Sequence, residues 1–144
     1  AVRALTNSAL LIRGERDLSC DIGAEIGADG TSLLLFPEEG AAPLDEELLR
    51  HLPRPWTLVV PDGNWRRASK MCRRDEAMRK LRRVAVADES PSAYAVRREI
   101  KEHGLATIEA VARALGVMEG AAAREALERI FHLMVERTMR SRGA

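Results

Sequence analysis

The residues with the clearest chemical potential fall in one short stretch, Pro61-Asp62-Gly63-Asn64-Trp65-Arg66-Arg67-Ala68-Ser69-Lys70-Met71. An acid and a glycine follow a run of apolar residues, and a tryptophan then opens a segment rich in bases. A loop at the carboxyl end of a strand is where an α/β fold presents a carboxylate to a ligand. Glycine lets a ligand approach the backbone closely, and the start of the following helix favours anionic groups. The same residues also fit a plainer structure, with Asp62-Gly63 as a turn, Asn64 as a helix cap and Trp65 as a core anchor. Spacing alone leaves both readings open.

The elements that must position this stretch can be read from periodicity. Four Leu- and Val-rich runs, residues 9–13, 32–36, 57–60 and 83–87, predict buried strands. Leu33-Leu34-Leu35-Phe36 and Leu58-Val59-Val60 are apolar without alternation, as parallel strands covered on both faces require. Pro37 and Pro61 end these two runs, because proline cannot donate to a ladder and constrains the residue before it. Trp65, Ala68, Met71, Cys72, Met78 and Leu81 recur mostly three or four apart, which predicts an amphipathic helix with a basic polar side. Thr107 is expected to cap a helix bearing Ile108, Val111, Ala112 and Leu115, with Glu109 favourable to its dipole and Gly116 near its stop. After a break at Glu119-Gly120, a final helix carries the stripe Leu127, Ile130, Phe131, Met134 and Val135. Strands alternating with helices predict an α/β domain with a mostly parallel central sheet flanked by helices.

Composition narrows the function classes. The 144 residues, 46% of them hydrophobic, suit a single domain with one core. No run approaches the ~20 apolar residues of a membrane span, and no secretory pattern opens the chain, so a cytoplasmic protein without membrane contact is expected. Cys20 and Cys72 lie far apart and offer neither a zinc knuckle nor a redox pair, so no metal is expected. Net charge is only +1, but it is unevenly spread. Acids dominate residues 15–47, where Arg16 is the sole base, whereas residues 66–83 hold nine bases against Asp75 and Glu76. Screening makes a ligand respond to the local field, so that basic segment can bind phosphate or can simply be a solvated helix face.

Taken together, these segments resemble the DTW-domain family. Asp62, Gly63, Trp65, Arg66, Ala68, Lys70 and Met71 agree with its signature, an Asp-x-Thr-Trp stretch followed by a helix with Arg, Ala and Lys at set places, while Asn64 stands where threonine is usual. Thr6-Asn7-Ser8-Ala9-Leu10-Leu11 resembles an Asn-Thr-Gly-x-Leu element, with Ser8 and Ala9 departing from it. Leu35-Phe36-Pro37 with Glu38-Glu39 resembles the strand-to-loop element. Ser92-Ala93-Tyr94-Ala95-Val96-Arg97 is similar to Ser-x-Tyr-x-x-Arg, and residues 105–112 to Leu-Ser-Thr-x-Glu-Ala-x-Ala. The five occur in the family's order across nearly the whole chain, which is read as one DTW domain over residues 1–144 lacking the family's amino-terminal cysteine cluster.

The resemblance implies a SPOUT-like fold with a knot in its carboxyl-terminal half, and transfer of the 3-amino-3-carboxypropyl group of S-adenosylmethionine to N3 of a uridine in tRNA, releasing methylthioadenosine. Carried over residue by residue, it implies a cofactor site of Leu35, Phe36, Pro37, Asp62, Trp65, Thr107, Ile108 and Glu109. Asp62 is the candidate catalytic group, either as base toward the uridine N3 proton or as partner of the cofactor's ammonium. Arg66, Arg67 and Lys70 are the candidate RNA phosphate contacts, joined by Tyr94 and Arg97. Leu35 and Phe36 fit core packing equally well. A SPOUT-type methyltransferase and a catalytically silent RNA-binding domain are the competing classes. For assembly, a monomer is the expected state.

Overall fold

A computed structural model describes residues 5, 8–11, 22–26, 31–87 and 106–141. Its centre is the strand β1 (Ser32–Leu35), flanked on one side by β3 (Thr57–Val59) and on the other by β4 (Arg82–Ala85). A short edge strand β2 (Ala42–Pro43) pairs with β4, giving the order β2-β4-β1-β3 with every pairing parallel. Leu33 lies opposite both Leu58 and Arg82, so the three long strands start nearly level. They therefore deliver their following loops to one edge.

Helices cover both faces. Leu33, Leu35 and Val84 point to one side, where they pack with Leu49 of α2 (Glu46–Arg50) and with Ala114 and Met118 of α5 (Thr107–Glu119). Leu34 and Phe36 point to the other, against Ile22 of α1 (Ile22–Glu25), Ala68 and Cys72 of α3 (Trp65–Arg74) and Met78 of α4 (Glu76–Lys80). Successive side chains of a strand alternate between faces. An unbroken apolar run on β1 is thus what two covered faces demand.

Several expectations need correction. Residues 9–11 form no strand, and Leu10 and Leu11 are exposed. The strand expected at residues 83–87 begins one residue earlier and ends at Ala85. The amphipathic segment from Trp65 to Leu81 is two helices rather than one. Asp75, extended at φ −80° and ψ 123°, ends α3 and caps α4, its Oδ1 accepting from the Met78 N–H at 3.0 Å. A short acceptor at this position offers the backbone an alternative to continuing the helix.

Thr107 is the first residue of α5, not its cap. Ala106 occupies the cap position, where its N–H donates to Glu109 Oε2 at 2.8 Å. Gly116 lies inside the helix, which continues until Gly120 at φ 96°, a conformation that favours glycine. The last helix, α6 (Ala121–Ser141), buries Leu127 and Phe131 but leaves Ile130 and Met134 exposed. Among the described elements α6 leans chiefly on α5, so part of its apolar stripe has no covering layer. Among the described residues, no helix is long and apolar enough to cross a membrane.

Candidate active site

The site assembles at the carboxyl ends of β1 and β3. After β3 the chain leaves the sheet at Val60-Pro61 and turns through Gly63 at φ 151°, again a region that favours glycine. Asn64 then starts α3 by accepting the Arg67 N–H on Oδ1 at 2.9 Å. This accounts for asparagine where the family pattern has threonine, since both residue types offer an N-cap acceptor.

Asp62 protrudes from this turn, and Thr107 Oγ1 donates to its Oδ1 at 2.8 Å. Forty-five residues separate the pair in sequence. The bond joins the β3–α3 loop to the first turn of α5, and occupies one carboxylate oxygen. Glu109, buried at 8% exposure, fixes the same turn from within through its bond to the Ala106 N–H. Ile108 is half-buried beside them.

The aromatic pair beside Asp62 bears on whether Trp65 is a core anchor. Its ring stacks on Phe36 with centroids 4.7 Å apart and planes 18° from parallel. Phe36 is 4% exposed and belongs to the core, whereas Trp65 is 51% exposed. Trp65 is therefore no core anchor, and Phe36 lies beneath it as support. Leu35, at 5% exposure, is also core, while Pro37 stands at the surface.

Arg66, Arg67 and Lys70 are exposed on α3, and no ion pair ties them down among the described residues. Further along, Lys80 bonds Glu76 at 2.8 Å and holds that carboxyl below its ordinary range. Arg83, counted in the basic run, leaves that face: half-buried on β4, it pairs with Glu38. This pair fastens the loop after Pro37 to the neighbouring strand. Tyr94 and Arg97 lie outside the described residues.

Sequence reasoning missed Arg113, which is 8% exposed on α5 and donates from Nη1 to the Ala87 carbonyl at 3.3 Å, just beyond β4. Its signal was a lone arginine among Val111, Ala112, Ala114 and Leu115. Burial pushes the Cys72 thiol above its ordinary range, an effect only partly opposed by the positive charge of Arg83. A cavity of about 440 Å³, lined in part by Leu49, Arg54, Trp56 and Met118, opens near the other end of β3, away from Asp62. Among the described residues no His, Cys, Asp or Glu group could hold a metal ion.

The geometry defines an α/β domain with a parallel sheet whose carboxyl edge carries a held carboxylate, a half-exposed indole and a basic helix. The DTW domain matches residues 3–139, and the chain belongs to that family. It is similar to proteins named tRNA-uridine aminocarboxypropyltransferase 2 from Drosophila melanogaster, at 35% identity over 88 residues, and from Mus musculus, at 29% over 105 residues. These alignments cover 61% and 73% of this chain and 34% of each relative. The chain thus spans about a third of the length of the curated relatives it matches. No solved structure matches it.

Proposed function

We propose that this domain transfers the 3-amino-3-carboxypropyl group of S-adenosylmethionine to N3 of a uridine in tRNA. Family membership and the names of the relatives support the reaction class. The structural observation that carries it is the Thr107–Asp62 bond, which gathers two separated family segments at the ligand edge of a parallel sheet. The parallel sheet is compatible with the SPOUT-like fold that the family resemblance implies.

The residues present suit the donor's chemistry. Asp62 is a surface carboxylate with one oxygen occupied by Thr107 and the other available to a cation. Pro37 at the surface and half-buried Ile108 offer apolar contact, Leu35 belongs to the core, and Thr107 and Glu109 set the position of the α5 turn. When bound, the donor supplies a methylene carbon activated by the adjacent sulfonium, and its carbon–sulfur bond breaks with the electron pair left on methylthioadenosine. Asp62 either accepts the N3 proton of uridine, so that N3 can form the new bond to carbon, or holds the donor's ammonium. Arg66, Arg67 and Lys70 bind RNA phosphates and fix the substrate's register. Positioning of the two substrates contributes much of the remaining acceleration.

The test is incubation of the purified protein with S-adenosylmethionine and tRNA, followed by nucleoside mass spectrometry. Methylthioadenosine and an aminocarboxypropyl uridine are expected. Release of S-adenosylhomocysteine instead would establish a methyltransferase, and a protein that binds tRNA but neither binds the donor nor modifies the RNA would favour a silent RNA-binding domain.

A further inference from the structure

We propose that the open face of Trp65 is a stacking platform for the target uracil, so that this ring belongs to the RNA site and not to a wall of the donor pocket. The inference rests on the transfer reading above and assigns its nucleobase subsite. One face of the indole is fixed against Phe36, itself almost wholly buried, and the side chain nevertheless remains half exposed. A ring placed only to fill the core would bury both faces. Here Phe36 holds the plane of the ring while about half of the residue stays accessible to a ligand.

Two flat rings come with the proposed reaction, the uracil of the RNA and the adenine of the donor. The surroundings favour the first. Trp65 opens α3, and the exposed Arg66, Arg67 and Lys70 follow it on the same helix. Cations beside a π-face suit a nucleotide within a phosphate chain, the combination that single-stranded nucleic acid sites use. S-adenosylmethionine carries no phosphate and gives those cations nothing to bind. An RNA enzyme working on a base edge also needs that base out of its stack, and an aromatic platform offsets part of the unstacking cost. Asp62, three residues before the ring, adds discrimination. Uracil presents an N–H at position 3, whereas cytosine presents a lone pair there, which a carboxylate repels.

The chain contains two tryptophans, so Trp56→Phe leaves Trp65 as the sole indole reporter. In that variant a short single-stranded oligouridylate should quench the emission in a salt-dependent manner, and S-adenosylmethionine alone should leave it nearly unchanged. Trp65→Leu should weaken RNA affinity about 5- to 150-fold, the range associated with removing one base–aromatic stack. Donor affinity, measured by calorimetry, should stay within about twofold, and Trp65→Phe should recover most of the RNA affinity while a thermal melt confirms the fold. Quenching by the donor and not by the oligonucleotide, or loss of donor binding with RNA binding intact, overturns the platform and returns the ring to adenine. These readouts do not depend on turnover. Normal transfer without quenching sinks the platform alone, whereas quenching without methylthioadenosine release sinks the transfer reading and leaves the stacking site standing.

Discussion

Replacing Thr107 by Val removes the hydroxyl that holds Asp62 while keeping the side chain's shape. The interaction removed is a 2.8 Å bond from a hydroxyl to a carboxylate. Hydrogen bonds to charged groups contribute about 1.5–3 kcal/mol net. Because Asp62 is exposed and water competes for it, the smaller figure of about 1 kcal/mol applies. If that energy orients Asp62 for reaction, kcat/KM should fall about fivefold, since 1.36 kcal/mol corresponds to a factor of ten. The fold should barely change. Ala106 and Glu109 make the helix-start bond, not Thr107, and threonine and valine have similar helix propensities. A melting temperature within about 3 °C of the parent is therefore expected. The assay is single-turnover formation of methylthioadenosine at several donor concentrations. Thr107→Ser keeps the donor group and should recover most of the rate. Combined with Asp62→Asn, Thr107→Val should add little, because the effects of coupled groups are not additive. A Thr107→Val protein with the parent rate, or a Thr107→Ser protein as impaired as the valine variant, would refute the assignment.

Asp62→Asn preserves size but cannot take a proton at neutral pH. If Asp62 is the base, turnover should fall about 100-fold or more with donor affinity kept; if it holds the ammonium, affinity should fall and saturating donor should restore the rate. Wild-type values for both would remove it from the mechanism. Reversing Arg66, Arg67 and Lys70 to Glu should weaken tRNA binding and lower the salt slope by roughly one for each phosphate no longer neutralised. Acids near a helix start are favourable, so the melt should not drop much, and an unaltered slope would mean a merely solvated face. Cys72 should resist alkylation at neutral pH in a Cys20→Ser background and react on unfolding, because burial disfavours its thiolate. With its folded pKa raised, its contribution to stability is complete below the ordinary thiol range and is lost as pH rises through and beyond it. Melts of the parent and Cys72→Ala should therefore converge toward high pH, and a constant gap would contradict the burial effect.

Much of the scaffold is legible from the amino acids alone. Leu33, Leu34, Leu35 and Phe36 announce a strand covered on both sides, and each face is indeed packed by helices. The bases of α3 fall opposite Ala68 and Cys72, as helical spacing requires. These features follow from local periodicity, which each segment carries within itself. Other features depend on partners distant in sequence. The two residues of β2 have no readable period and exist as a strand only because β4 offers them an edge. The break at Asp75 is local by contrast: four charged residues interrupt the apolar spacing between Cys72 and Ala77, and a capping bond from the Met78 N–H to Asp75 competes there with the continuing helix.

Thr107 shows the division within the site itself. By residue type it is a helix cap, and a local rule can assign it nothing else. In the folded chain Glu109 makes the bond to the helix start, and the Thr107 hydroxyl is spent on Asp62, forty-five residues away. Trp65 shows it as well, because whether an indole is core or platform depends on what covers its second face. Phe36 covers one face and solvent meets the ring, which is why the sequence could nominate Asp62, Trp65 and Thr107 but only the packing of β1, β3 and α5 could give them their neighbours.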